Sequence, residues 1–188
     1  MGELLRSGKI LLLSHCLLNA NSKIKGAALH GPVLKPVVRH ILQQETGIMQ
    51  LPCPEHSFAG GARWGQSKDQ YDNPFYRRHC SIILGPVIDQ LMDYHQQGYK
   101  LIGVLGIKGS PSCGIHYTYR AKWGGEIIPH SGDNCLPSGS LVKEPGVFLE
   151  IFQEKLAEAG LKIPFFEVAE DDLEGTLKSL KEFMSRFA

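Results

Sequence analysis

KLIGVLGIKGSPSCG, residues 100 to 114, passes from an apolar run straight into a turn that carries a cysteine. Its first eight residues are aliphatic and glycine-rich with one charge at the start, the pattern of a strand buried on both faces as in a parallel sheet. The segments on either side repeat this pattern. KILLLSH (9–15) is another short apolar run, IMQLPCPEH (48–56) begins as a strand and breaks at Pro52 to Pro54, and IPFFEV (163–168) supplies a fourth.

Helical patterns alternate with these runs. Over 32–46, Pro32 and Pro36 fall where a first turn tolerates proline, Val33, Val37, Ile41 and Leu42 share a face, and Gly47 ends the helix. A longer pattern over 73–97 places Cys80, Ile83, Leu84, Val87 and Leu91 on one face despite Gly85 and Pro86. A third helix is expected over 145–159, closed by Gly160, and a fourth opens with the acidic residues 170–172. Strand alternating with helix predicts an α/β fold: an open, mostly parallel sheet with helices on both faces, Rossmann- or flavodoxin-like, with right-handed crossovers. Residues 119–146 form a long interruption, expected to be a lid or hairpin insertion, and loops of that length usually serve function.

The 188 residues fit one domain spanning 1–188, large enough to bury its core without disulfides. Twenty Lys and Arg balance nineteen Asp and Glu, so no overall basic field draws in nucleic acid or an anionic membrane, and a small-molecule partner is expected. Five cysteines, an odd number thinly spread, fit a reducing compartment, and the expected location is the cytoplasm. Arg6 and Lys9 ahead of Ile10 to Leu13 imitate the start of a secretion signal, but Ser14 and His15 cut its apolar run short. No stretch approaches a membrane span. Neither a Walker A pattern nor a GxGxxG follows the first strand, which argues against a nucleotide site.

Cys16, Cys53 and Cys113 each follow an expected strand directly. In an open parallel sheet the C-terminal strand ends share one edge, where ligands bind, so these three are expected to converge although 37 and 60 positions separate them. That is not the spacing of a zinc knuckle, and the fold would have to assemble the site. Three readings stay open on the residues alone: buried thiols that merely pack, a zinc site completed by histidine, and an iron–sulfur site. His15, His56 and His116 each accompany one cysteine, as outer-shell groups or as a fourth ligand. Cys80 reads as core, and Cys135 as a surface thiol, a lid residue or a further ligand.

The segments SHCLLN, CPEH and SPSCG resemble the three cysteine motifs of the DUF523 or 2-thiouracil desulfurase family, S-x-C-L-L-G, C-P-E and S-P-S-C-G, in order and spacing over about the first 115 residues. The resemblance implies a [4Fe-4S] cluster on Cys16, Cys53 and Cys113 whose fourth iron has no protein ligand. It also implies removal of sulfur from a small thiolated compound, a thiocarbonyl or thiolated nucleobase, with water supplying the replacing oxygen. Glu55 and Ser110 would then be catalytic, as candidates for proton transfer. The chain departs from the family at Asn19, where glycine is usual, at Lys25-Gly26, and in GGARWG (60–65), which keeps Arg63 in changed surroundings. Asn19, Arg63 and Lys108 are the residues expected to contact substrate, and the chain reads as a divergent branch. The alternatives are a zinc protein on the same cysteines plus a histidine, or a non-enzymatic iron–sulfur sensor or sulfur carrier.

Overall fold

A computed structural model describes residues 6–121 and 139–187. Four parallel strands, β1 (Lys9–Leu13), β2 (Gly47–Gln50), β3 (Lys100–Ile107) and β4 (Phe165–Val168), form one sheet in the order β2-β1-β3-β4. The chain is an α/β protein with helices against both faces of this sheet. All four strands coincide with the apolar runs, and the expected helices occur, with ends displaced by a few residues: Lys35–Gln43, Pro74–Gln96, Val147–Glu158 and Leu173–Ser185. The Pro74–Gln96 helix continues through Pro86.

Alternation along β1 divides the core. Leu11 and Leu13, with Leu105 and Ile107, pack against Val37 and Ile41 of the 35–43 helix and against Leu180 and Phe183 of the 173–185 helix. Leu12 and Val104 face the other way, onto Leu84, Val87 and Leu91 of the long helix and onto Phe148 and Phe152. Each fully buried Leu or Phe of this kind contributes roughly 1.5–3 kcal/mol of apolar transfer energy. Two strand glycines permit close approach. A Cβ at Gly103 would lie 2.7 Å from the Phe183 ring, and one at Gly106 would lie 2.5 Å from the Cys113 carbonyl oxygen.

The sheet order creates a topological switch. The connection leaving β1 runs through the 35–43 helix on one face, and the connection leaving β3 runs through the 147–158 helix on the opposite face. Between the C-terminal ends of these adjacent strands the chain parts, which is where open α/β sheets form their ligand crevice.

Residues 118–120 and 140–142 pair antiparallel as a separate two-stranded sheet. Asp69 of the short helix Lys68–Tyr71 accepts from Arg120 of this pair at 2.7 Å, and the buried Lys68 ties down the segment that follows by donating to the Pro145 carbonyl at 2.8 Å and to Glu150 at 2.9 Å, with Glu144 at 3.6 Å. The rest of the expected lid, including Cys135, lies outside the described residues. Among the described residues no helix is long and apolar enough to cross a membrane.

Candidate functional site

Each of the three strand-end cysteines is positioned by a different local device. β1 turns directly into a one-turn helix, His15–Leu18, which carries Cys16. Cys53 is the N-cap of the helix Pro54–Ala59, an unforeseen element. Its sulfur accepts from the His56 backbone N–H at 3.4 Å, and Pro54 occupies the first turn, where a missing N–H costs nothing. Cys113 belongs to a loop that the surrounding fold over-determines. The backbone N–H groups of Gly146, Val147 and Phe148, at the start of the 147–158 helix, donate to the carbonyls of Gly114, Pro111 and Ser112 at 2.9, 3.0 and 3.1 Å. Those are donors a helix start would otherwise leave unpaired. One Glu167 oxygen accepts from the backbone N–H groups of Ile115, His116 and Tyr117 at 3.3, 2.8 and 3.1 Å, and the Ser112 hydroxyl meets the Tyr76 hydroxyl at 2.7 Å.

The three cysteines line one cavity of about 280 Å³ at the switch point, together with Glu55, Arg63, Lys108, Ser110 and His15. Asn19 does not line it. Its side-chain oxygen accepts from Asn21 and shapes the turn after Cys16, a local job the sequence pattern did not betray. His56 and His116 are exposed and not among the lining residues, so of the three motif histidines only His15 borders the cavity; burial lowers its pKa. Cys80 is fully buried in the core. Among the described residues no three His, Cys, Asp or Glu side chains are grouped closely enough to ligate a single metal ion.

Two charged walls flank the thiols. On the β2 side Arg63 donates through Nε and Nη2 to Glu55 Oε2 at 3.3 and 3.2 Å, and its remaining contacts are the carbonyls of Gly60 and Ser22 at 3.0 and 2.7 Å. Arg63 is therefore a fixed part of the wall. Both Arg63 contacts to Glu55 fall on Oε2, so Arg63 leaves the second oxygen free, and the same carboxylate acts on the buried Tyr71 hydroxyl. On the β4 side Glu170 takes Lys23 on one oxygen and His30 Nε2, at 2.9 Å, on the other. Lys23 and Glu170 line the cavity, yet nothing in the sequence singled them out. Glu170 read as a helix opening, whereas Asp172 is the residue that caps that helix.

Ser110 has a structural task as well as a place on the cavity wall. Its oxygen accepts from the backbone N–H of Cys113 at 2.9 Å and of Ser112 at 3.3 Å, leaving its hydroxyl proton to be donated elsewhere.

Burial governs the thiols. It pushes Cys16 up to about 12, and it also raises Cys53 and Cys113, with the other two cysteines adding to the effect on Cys113. Without a metal these groups are protonated at neutral pH. Iodoacetamide is therefore expected to modify Cys16 in the folded, metal-free protein about 100-fold or more slowly at pH 8 than in the unfolded chain. The same shift sets a sign for stability. Unfolded thiols ionise near 9 and folded Cys16 near 12, so the unfolded state loses its proton first, and metal-free stability falls as pH rises through this interval. Thermal unfolding at pH 8 and pH 10.5 checks it, and a melting temperature no lower at pH 10.5 contradicts it.

The contact between Gly106 and the Cys113 carbonyl supports a second prediction. A methyl group at Gly106 must displace the Cys113 loop, because its neighbours include backbone and the packed Ile115 and Leu149 side chains at 2.6 and 2.7 Å. Gly106→Ala is expected to cost about 1–3 kcal/mol, as overpacking does. Chemical denaturation measures this, and an unchanged midpoint would refute it.

No family model matches the chain, and no solved structure gives a significant match. MJ0003, an uncharacterized protein of Methanocaldococcus jannaschii, is 37% identical over 111 residues, which is 59% of this chain and 70% of that protein. The chain belongs to the same family as this uncharacterized archaeal protein.

Proposed function

We propose that the protein is an iron–sulfur-dependent, desulfurase-like enzyme that exchanges the sulfur of a small thiocarbonyl or thiolated nucleobase for the oxygen of water. The observation that carries this reading is the set of three thiols on one small cavity beside a carboxylate with one oxygen that Arg63 leaves free. Three thiols bordering a cavity suit a body larger than one ion. A single zinc holds its sulfurs at about 2.3 Å, and among the described residues no three ligand side chains are grouped to hold one ion. Cys16, Cys53 and Cys113 would hold a [4Fe-4S] cluster, which when bound supplies a Lewis-acidic iron open to the substrate sulfur.

The protein's own groups account for the remaining chemistry. Glu55 Oε1 can take a proton from the attacking water, and Arg63 holds that carboxylate in place. The Ser110 hydroxyl can donate to the departing sulfur or to the substrate ring. Ile24, Ala27 and Pro111 supply apolar wall that limits water, and Lys108 stands among the lining residues where a substrate would contact it. The reaction balances as C=S plus water giving C=O plus hydrogen sulfide, with no net redox change.

The test is the iron, sulfide and zinc content, with the visible spectrum, of protein purified without oxygen. Near four irons and four sulfides per chain are expected, followed by sulfide release from thiolated pyrimidines. Zinc alone, or no metal after reconstitution, would remove the proposal.

A further inference from the structure

Ser14 ends β1 and occupies the N-cap of the helix that bears Cys16, a position where serine ordinarily bonds a backbone N–H of the first turn. Here its side chain makes no such bond. The residue is completely buried, and its hydroxyl meets no hydrogen-bond partner. A buried hydroxyl left unpaired costs about 1–3 kcal/mol, so this one calls for a physical reason.

The reason lies next to it. The Ser14 backbone N–H donates to the Leu105 carbonyl at 2.9 Å, which lays the residue against β3, and the Cys113 carbonyl accepts from Ile107 N–H at 2.8 Å, which folds the Cys113 loop back onto the same strand. These two bonds bring Ser14 and the Cys113 loop together on β3, and the Ser14 hydroxyl is the side-chain group that opposes the effect of burial on the Cys113 thiol. A protonated thiol is a poor acceptor and a thiolate a strong one, so the unpaired hydroxyl gains a partner when that sulfur is ionised. The hydroxyl beside Cys53 differs: Ser22 already donates to the Asn19 carbonyl at 2.9 Å.

We infer that Ser14 is a positioning residue whose hydroxyl donates a hydrogen bond to the Cys113 sulfur when that sulfur is a metal-bound thiolate, so the unpaired donor is a preformed outer-shell contact. The inference rests on the cluster reading of the three cysteines. Outer-shell partners of this kind contribute about 10–100-fold in metal affinity, and a donor to a ligand sulfur favours the reduced form of a cluster.

The full chain and its Ser14→Ala variant, both purified without oxygen, are compared for iron content, for the rate of iron loss to a chelator and for the reduction midpoint followed by EPR. Both are expected to hold the centre. The variant should lose iron about 10-fold faster, and its reduction equilibrium should shift about 10-fold toward the oxidised form, a fall of 59 mV for one electron. Ser14→Thr, which keeps the hydroxyl, should restore the wild-type midpoint. A centre of unchanged midpoint and lifetime in Ser14→Ala overturns the inference while leaving the cluster reading intact. A lower melting temperature with an unchanged midpoint also overturns it, since that marks a packing role alone. Wild-type protein without iron overturns both together.

Discussion

Cys113→Ala is expected to abolish iron binding: content should fall from near four irons per chain to below about one, and sulfide release should disappear with it. Cys113 is buried in a loop tied to the 147–158 helix, to Glu167 and to Ser110 through backbone groups that the substitution leaves alone. Alanine removes only the sulfur, so the fold should survive and the loss of iron can be assigned to the lost ligand. Cys80→Ala is the matched control. It deletes an equally buried thiol, one on the long helix within the core, and should retain the full complement of iron. A brown Cys113→Ala protein with undiminished iron would end the assignment of this cavity as a metal centre. Equal losses in both variants would assign the effect to packing.

Glu55→Gln should separate chemistry from cluster binding. The amide keeps the volume of the carboxylate and can still accept from Arg63, so the wall of the cavity should stay in place. What disappears is the oxygen able to take a proton from water. Removal of a general acid or base typically costs 10²–10⁴-fold, and a fall of about this size in kcat for sulfide release is expected with iron content unchanged. Turnover within threefold of wild type would strip Glu55 of a catalytic role and reduce it to the counter-ion of Arg63.

The two predictions draw on different levels of information. Cys113 could be chosen from the sequence, because an apolar run ending in SPSCG places its cysteine at a strand end whatever the rest of the chain does. Glu55 could be named from its neighbourhood to Cys53, but its ion pair with Arg63 and the oxygen that this pair leaves free depend on the path of the 60–66 loop back over the cavity. Asn19 shows the opposite outcome. Its place where the resembled motif has glycine suggested the substrate pocket, and the local turn claims its side chain instead. The short helices at His15–Leu18 and Pro54–Ala59 were not legible, since four to six residues carry too little periodicity to distinguish a turn of helix from a loop.

By itself the sequence determined the α/β class, the four strands and the faces of the long helices. Strands buried on both sides must be apolar throughout, and helices packed on them must be apolar on one stripe, so both requirements are written locally. It also determined that Cys16, Cys53 and Cys113 reach one sheet edge, since parallel strands present their C-terminal ends together. Only the tertiary structure decided what surrounds the thiols. Lys23 meets Glu170 across 147 positions, Arg63 reaches the Ser22 carbonyl across 41, and Ser14 forgoes its cap and acts on the Cys113 thiol. Pairings of that reach depend on where loops return over the sheet, and no local pattern of polarity encodes the partner of a buried polar group. Burial supplies the constraint that the folded chain must meet: a charge or hydroxyl removed from water has to find a partner, and which one it finds is fixed by the packing of the whole.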